Sequence, residues 1–175
     1  MSLTKSPIIS LTIVGTLLLL FGAFITLGGI VYNGPNIPAG LYMKVDKPLA
    51  IGRIVVFCPP NRPEFKEARD RAAISAGSCP DNFGTMMLKV AAKRKDSVSI
   101  NENGVFVNEM LLPQSKPLAQ DREGRPMPIA KLDHYELKQN EILLMSDSKD
   151  YPFDGRYFGL LDVEQVDSVI SRILP

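Results

Sequence analysis

The chain has 175 residues, of which 45% are hydrophobic and 22% are charged, and its formal net charge is +1. This length accommodates one globular domain with an appendage. The balanced charge gives no reason to expect a nucleic-acid partner, because nucleic-acid binding depends on an excess of cations. The informative features are therefore local segments.

Residues 8–31 form an uncharged, largely apolar run of 24 residues. A helix rises by about 1.5 Å per residue, so this run is long enough to cross a hydrocarbon core of about 30 Å. The run ends without an Ala-x-Ala cleavage motif, which favours an uncleaved signal anchor over a cleaved signal peptide. A buried helix of a soluble domain is the alternative, although such a helix rarely needs so long an apolar stretch. We predict a transmembrane anchor at residues 8–31, between an amino terminus of residues 1–7 and a domain of residues 32–175.

The two cysteines provide the better evidence for the side of the membrane on which the domain lies. Cations lie on both sides of the apolar run, so the positive-inside rule does not favour a cytoplasmic amino terminus. The two cysteines, Cys58 and Cys79, each precede a proline, and an even count would suit one disulfide in an oxidising compartment. Two free thiols are the alternative. We predict the disulfide, with residues 1–7 in the cytoplasm and residues 32–175 in the periplasm.

The remainder of the chain predicts a mostly β domain held close to the membrane. Short apolar segments predict strands at residues 51–57, 86–92, 141–145 and 166–173. Residues 98–100 and 105–107 predict a hairpin around Asn101-Glu102-Asn103-Gly104. Residues 62–77 are rich in helix formers and end at Gly77, so we expect a surface helix between the cysteines. Residues 113–134 combine prolines and charges and predict a long excursion rather than a second domain.

The chemistry of the chain is limited by the residues that it lacks. His134, the only histidine, lies in a polar stretch where we expect it to be exposed, so a Ser-His-Asp triad has one weak candidate base. A zinc site would need carboxylates, because the cysteines are expected to be bonded to each other. Phosphate-loop and dinucleotide-binding glycine motifs are absent from the sequence. We therefore predict no metal and no cofactor, and a lysine remains as the candidate catalytic base.

Lys89 is that candidate because it lies within the apolar segment Met86 to Ala92. Desolvation would disfavour the ammonium form, as a lysine acting as a general base requires. The ordinary alternative is a lysine at a strand edge that points into solvent.

Four segments in a fixed order carry a family resemblance. They are the loop with Asn33, Pro38, Gly40 and Tyr42, the Cys-Pro pair, the strand with Lys89, and the sequence FDGRYFG at residues 153–159. Over nearly its whole length the chain resembles the TraF-type peptidases of conjugative plasmids, a branch of the serine/lysine signal peptidases. The resemblance implies a mainly β fold: a signal-peptidase-like β domain with a short helix insertion, preceded by one transmembrane helix.

The resemblance also assigns site residues. Asn36 stands at the position of the family's nucleophilic serine, Lys89 at that of its base, and Asp154 with Arg156 at the pair that supports the lysine. The ordinary alternative for Asp154 and Arg156 is a salt-bridged β-turn. An amide nitrogen is delocalised and cannot be activated by a neutral lysine to form an acyl-enzyme, whereas a hydroxyl can. We therefore expect the catalytic chemistry to be impaired in this chain.

Other positions shape the loop or depart from the family pattern. Pro38 fixes one backbone dihedral, and Gly40 permits a close approach. Pro152 stands where related enzymes often carry a serine that orients the lysine, and Gly155 replaces the serine of Asp-Ser-Arg. The Gly-Asp turn expected after the lysine strand is represented by Lys95-Asp96.

The implied function is membrane-anchored, endoproteolytic maturation of a conjugative pilin precursor, which some members of the family also cyclise. The implied partners are a membrane-tethered pilin precursor or another preprotein, inner-membrane lipid and the conjugation machinery. One alternative is a noncatalytic assembly subunit that binds pilin precursors as an added strand. Another is a general secretory signal peptidase, against which the Cys-Pro pair and the short chain argue.

A degenerate serine/lysine site has a defined geometry. We expect the Lys89 amine to approach Asn36 to about 3 Å and the lysine to be largely buried. Asp154 should lie in the same neighbourhood.

Overall fold

The computed structural model describes residues 7–148 and 153–174. Its α-helices are α1 (Pro7–Thr26), α2 (Pro63–Asp70) and α3 (Gly155–Phe158), and short 3-10 helices occupy Pro80–Asn82 and Val163–Gln165. The strands are β1 (Gly29–Tyr32), β2 (Gly40–Val45), β3 (Ile54–Phe57), β4 (Met86–Ala92), β5 (Ser97–Asn101), β6 (Gly104–Val107), β7 (Met110–Leu111), β8 (Leu132–Glu136), β9 (Glu141–Met145), β10 (Leu161–Asp162) and β11 (Val166–Leu174).

Helix α1 is apolar along its length and packs against little else. Its segment Ile9–Thr26 has a mean hydropathy of 2.2 and none of it is buried within the protein. These properties fit a single-pass membrane anchor or a signal sequence. The predicted end of the anchor at residue 31 is corrected to Thr26, because Gly28 has a φ of 90° and the chain then enters β1. Pairing of β1 with β2 removes residues 29–31 from the helix.

The strands form two antiparallel sheets, so the predicted mainly β fold is confirmed. The larger sheet has the order β1-β2-β11-β3-β4-β9-β10, and the smaller has the order β7-β6-β5-β8. The carboxyl-terminal strand β11 pairs with both β2 and β3, which ties the end of the domain to its beginning. The predicted strands at residues 86–92 and 141–145 match β4 and β9, and the predicted hairpin is formed by β5 and β6.

Other predicted boundaries needed correction. Helix α2 ends at Asp70 rather than Gly77, because the chain turns at Ala72, whose φ is 59°. The excursion of residues 113–134 includes the start of β8, which pairs with β5. His134 is exposed as expected, with 72% of its side chain accessible.

The main hydrophobic core lies between the larger sheet and the helices α2 and α3. Aromatic rings dominate it, and the centroids of Phe65 and Phe158 are 4.9 Å apart. The predicted disulfide between Cys58 and Cys79 is confirmed, and it closes the segment that contains α2. Arg62 donates to the Phe158 carbonyl at 2.6 Å, so α2 is fixed to α3 as well as to the sheet. These contacts fix α2 and α3 against the larger sheet.

Candidate functional site

The loop of residues 33–39 connects β1 to β2 and is held by two tyrosines. The backbone N–H of Asn36 donates to the Tyr32 hydroxyl at 3.1 Å, and the Tyr42 hydroxyl donates to the Pro38 carbonyl at 2.6 Å. Ile37 anchors the loop by packing into a hydrophobic cluster, with 3% of its surface exposed. Burial raises the pKa of the Tyr32 hydroxyl from its ordinary value, so Tyr32 contacts the loop as a neutral group. The backbone at residue 36 is therefore fixed by packing and hydrogen bonds.

Gly40 ends this loop at a point where a side chain would not fit. Its φ is 154°, and a Cβ atom there would lie 2.5 Å from the carbonyl oxygen of Leu174. Arg172, which lies on β11 together with Leu174, donates to the Ala39 carbonyl. The close approach predicted for Gly40 is thus made by the protein's own strand β11, while Pro38 lies exposed on the surface.

Lys89 reaches the same region because of the alternation of side chains along β4. Leu88 and Val90 belong to the core beneath α2, whereas Met87 belongs to a separate cluster that contains Ile37. Lys89 shares the face of Met87, since the two residues are two positions apart on the strand. The lysine therefore emerges beside the 33–39 loop.

The partner of Lys89 is Asp147, which sequence reasoning missed. The Lys89 amine lies 2.7 Å from Oδ1 and 2.5 Å from Oδ2 of the Asp147 carboxylate. Met145 pairs directly with Lys89 across the sheet, so Asp147, two residues further, lies diagonally opposite the lysine. Lys89 is less buried than expected, and its amine contacts Asp147. Its side chain is 36% exposed, and no hydrogen bond joins its amine to Asn36 among the described residues.

Residues 146 and 147 nevertheless bring the predicted residues together. The Asn36 carbonyl accepts hydrogen bonds from the Ser146 hydroxyl at 2.8 Å and from the Asp147 backbone N–H at 3.0 Å. The backbone N–H of Ser146 donates to Asp154 at 2.8 Å. Asn36 is therefore linked to Asp154 through Ser146 and to Lys89 through Asp147.

Asp154 and Arg156 form a buried ion pair that supports this arrangement. Their side chains are 0% and 3% exposed, and the guanidinium binds both carboxylate oxygens at 2.8 and 2.9 Å. Arg156 also donates to the carbonyls of Gln114 and Lys116. Burial raises the pKa of the Asp154 carboxyl from its ordinary value, and the charge and hydrogen bonds of Arg156 oppose that rise. Asp154 thus positions Ser146 and caps α3, whereas the carboxylate at the lysine belongs to Asp147.

Comparison with known proteins assigns this chain to a family. The family described as signal peptidase, peptidase S26, matches residues 7–174. The chain belongs to this signal peptidase family. A plasmid transfer protein TraF of Escherichia coli is 44% identical over 160 residues, covering 91% of this chain and 90% of that protein. A probable conjugal transfer protein TraF of Sinorhizobium fredii is 28% identical over 142 residues, covering 80% of this chain and 73% of that protein.

These relatives identify the chain as a TraF-type signal-peptidase-like protein, as the resemblance in its sequence had indicated. A second plasmid transfer protein TraF of Escherichia coli is 40% identical over 161 residues, covering 92% of this chain and 90% of that protein. A solved signal peptidase I from Enterococcus faecalis V583 is 15% identical and covers 71% of this chain and 98% of that one, with a TM-score of 0.42.

Two of the departures from the signal peptidase pattern, Gly155 and Lys95-Asp96, have structural explanations. A Cβ atom at Gly155 would lie 2.8 Å from the Leu144 carbonyl oxygen, so a serine could not stand there without a shift of β9. Asp96 accepts from the Lys93 backbone N–H and from the Asn108 amide, and it serves the turn after β4 rather than the site. Pro152 lies outside the described residues.

The position of Ser146 and Asp147 in the sequence is a signal that could have identified them as site residues. They follow β9 directly, and β9 is the neighbour of the strand that carries the lysine. Polar residues at the end of a buried strand, beside a strand with a lysine, are a recognisable signal.

Proposed function

We propose that this chain is a membrane-anchored, signal-peptidase-like component of a conjugative transfer system that binds a pilin precursor. Helix α1 tethers it to the bacterial inner membrane, and the β domain lies in the periplasm. The names of its relatives support a role in plasmid transfer, and the disulfide supports an oxidising compartment. The 33–39 loop presents the precursor's cleavage region close to the membrane.

One observation carries the proposal about chemistry. Asn36 and Lys89 both contact Asp147, one through its backbone carbonyl and the other through its amine. The nucleophile position and the base position of the family are therefore neighbours in this chain, as a serine/lysine site requires.

In this proposal the two family positions remain neighbours and the site lacks its nucleophile. A serine hydroxyl at position 36 would attack the scissile carbonyl after giving its proton to a neutral lysine, and Asn36 cannot do so. The hydroxyl of Ser146 donates to the Asn36 carbonyl and accepts from the Ser148 N–H, so it is committed to holding the loop. The chain as it stands binds precursor without forming an acyl-enzyme.

Restoring the serine tests this reading. The purified chain, its Asn36→Ser variant and an Asn36→Ser/Lys89→Met double variant are incubated with a cognate pilin precursor in detergent micelles, and cleavage is followed by mass spectrometry. We expect no cleavage by the unmodified chain, partial processing by Asn36→Ser, and loss of that processing in the double variant. Lys89→Met keeps the side-chain length, so the loss reports the amine.

Two outcomes would contradict the proposal in different ways. Robust cleavage by the unmodified chain that disappears with Lys89→Met would place the nucleophile elsewhere. Failure of the precursor to cross-link to the unmodified chain in membranes, through a photoreactive group near its cleavage site, would remove the binding role.

A noncatalytic assembly subunit is the second candidate function. The ion pair between Lys89 and Asp147 favours it. The Lys89 amine contacts a carboxylate on one side of the loop rather than the residue at the nucleophile position. Efficient cross-linking of the precursor, combined with no processing even by Asn36→Ser, would support this candidate over an impaired enzyme.

A further inference from the structure

The backbone carbonyl of Asn36 is polarised by two hydrogen-bond donors. The Ser146 hydroxyl donates to its oxygen at 2.8 Å, and the Asp147 backbone N–H donates to the same oxygen at 3.0 Å. Two donors on one carbonyl oxygen stabilise the negative charge that develops there when a nucleophile attacks the carbon. The loop's own peptide bond between Asn36 and Ile37 is therefore activated for attack.

A nucleophile for this carbonyl lies in the same residue. Among the described residues, the hydrogen bonds of Asn36 involve its backbone N–H and carbonyl, and none involves its side-chain amide. Attack of Nδ2 on the residue's own carbonyl carbon closes a five-membered ring. An amide nitrogen is a weak nucleophile, but well-oriented attack within one molecule reaches effective concentrations of about 10⁵–10⁸ M. This attack therefore needs no activation by Lys89.

The nitrogen that would leave belongs to Ile37 and lies beside the Tyr32 hydroxyl. The Asn36 N–H donates to this hydroxyl at 3.1 Å. Burial raises the pKa of the Tyr32 hydroxyl, and the backbone N–H groups of Asn36 and Ile37, which face its oxygen, partly oppose that rise. Tyr32 is therefore protonated at neutral pH and can supply a proton to the leaving nitrogen.

The same loop disfavours deamidation, the competing reaction of asparagine. Deamidation requires the backbone nitrogen of Ile37 to attack the side-chain carbon of Asn36. Ile37 is β-branched and buried, and its N–H faces Tyr32. Pro35 and Pro38 restrict the backbone on both sides, so the Ile37 nitrogen has little freedom to turn. Attack by the side-chain amide is therefore favoured over attack by the backbone.

We propose that this chain cleaves its own peptide bond between Asn36 and Ile37. Nδ2 of Asn36 forms a bond to the carbonyl carbon of Asn36, and the bond from that carbon to the Ile37 nitrogen breaks. The proton lost from Nδ2 is delivered to the Ile37 nitrogen through the Tyr32 hydroxyl. The products are residues 1–36 ending in a cyclic imide and residues 37–175 beginning with a free amino group. The reaction consumes no other reactant and needs no preprotein, so it goes beyond the proposed function.

Cleavage at this bond separates the β domain from helix α1 as covalent units. Pairing of β1 with β2 still joins the two fragments, and the rings of Tyr32 and Tyr42 remain in contact across that pairing. Each chain reacts once and becomes a domain that is held at the membrane by noncovalent contacts alone. The fragments therefore have to be separated under denaturing conditions.

The test follows the purified full-length chain in detergent at neutral pH, with samples denatured and analysed by intact-mass spectrometry. We expect both fragments to accumulate. At early times fragment 1–36 should be lighter by one water molecule than the same fragment with a free carboxylate, which distinguishes imide formation from a contaminating protease. The same chain unfolded in urea should cleave at least about tenfold more slowly, because unfolding removes both donors. The bond between Asn82 and Phe83 is the internal control and should stay intact.

Three variants examine the parts of the site. Asn36→Gln keeps the amide but has to close a six-membered ring, so cleavage should be at least about tenfold slower. Ser146→Ala should slow cleavage by at least about tenfold, and Ser146→Thr, which restores a hydroxyl, should recover the rate. Tyr32→Phe should also slow cleavage, whereas Tyr135→Phe, whose missing hydroxyl donates to Glu141, should not. Circular dichroism establishes that each variant is folded.

Several outcomes would overturn the proposal. They are a native chain that cleaves no faster than the unfolded chain, a fragment 1–36 that carries a free carboxylate from the earliest samples, and deamidation of Asn36 in place of cleavage. A rate that is unchanged in Asn36→Gln would have the same meaning. These measurements contain no precursor, so their failure leaves the cross-linking test of the proposed function untouched.

Discussion

Two ion pairs flank Ser146, and they differ in nearly every physical respect. The Asp154–Arg156 pair is buried and bidentate, and the spare N–H groups of its guanidinium are taken up by the carbonyls of Gln114 and Lys116. The Lys89–Asp147 pair is more than one third exposed on both sides. Burial makes the first pair costly to break, whereas solvent weakens the second.

The buried pair therefore supports the structure, whereas the exposed pair remains accessible to a ligand. The buried pair holds the backbone N–H of Ser146, and Ser146 in turn holds the Asn36 carbonyl. The exposed pair holds only an amine, which can exchange its partner without loss of packing. The resemblance to signal peptidases assigned Asp154 to the lysine, and the structure gives that contact to Asp147.

The largest expected effect is on the buried pair. Arg156→Met should lower the free energy of unfolding by about 3–5 kcal/mol, because it leaves a buried carboxylate without its cation. Urea denaturation followed by circular dichroism measures this change. Arg94→Met, at an exposed position, serves as the control and should change stability by less than about 0.5 kcal/mol.

A double variant sharpens that result. Asp154→Leu/Arg156→Met removes both charges but leaves the Ser146 N–H without its acceptor, so we expect it to remain destabilised. Full recovery of stability would show that the pair is replaceable by apolar packing and that its hydrogen bonds to Ser146, Gln114 and Lys116 are unimportant.

The disulfide offers a way to loosen α2 without touching either pair. Cys58→Ser/Cys79→Ser opens a loop with a sequence separation of 21 residues. For loops of this size a disulfide typically stabilises by about 3 kcal/mol. Reduction of the unmodified chain should give the same loss in a urea titration, and reductant should leave the double variant unchanged. A stability of the unmodified chain that is insensitive to reductant would contradict the assignment.

A single hydroxyl tests how firmly the loop is held. Tyr42→Phe removes the donor to the Pro38 carbonyl and keeps the fully buried ring, so we expect a loss of about 1 kcal/mol. Thermal unfolding measures it. Tyr135→Phe removes a part-buried hydroxyl that donates to Glu141, and its smaller effect is the reference. An equal loss of stability in both variants would mean that the Tyr42 hydrogen bond stabilises the 33–39 loop no more than an ordinary part-buried hydrogen bond does.

The sequence predicted those parts of the fold that have a strong local pattern. Strands β4 and β9 are continuous apolar segments, and the β5–β6 hairpin has a turn with asparagine and glycine, so local residues determine them. Strand β1 continues the uncharged segment of α1 and was therefore included in the predicted anchor, whereas β2 pairs with β11 from the other end of the chain as well as with β1. The pairing of β1 with β2 positions the loop that carries Asn36, and the sequence pattern did not predict it.

Three members of the site were predicted from the sequence, whereas Ser146, Asp147 and the contacts between the residues were not. Family motifs selected Asn36, Lys89 and Asp154, and the structure gathers all three around residues 146 and 147. Which carboxylate meets the lysine depends on the register between β4 and β9, which pairs Lys89 with Met145. The burial of Lys89 was overestimated because its chain neighbours Leu88 and Val90 lie on the opposite face of β4.

The smallest expected effect is on the exposed pair. Asp147→Asn keeps the backbone N–H that donates to Asn36 and removes only the charge opposite Lys89. With both side chains more than one third exposed, we expect a loss of less than about 1 kcal/mol, and a double-mutant cycle with Lys89→Met should give a coupling energy below the same limit. Chemical denaturation of the four proteins provides the measurement. A coupling energy above about 2 kcal/mol would make this pair equivalent to the buried one. A small coupling energy would instead mean that the Lys89 amine can leave Asp147 for a bound precursor while the buried pair continues to hold the loop.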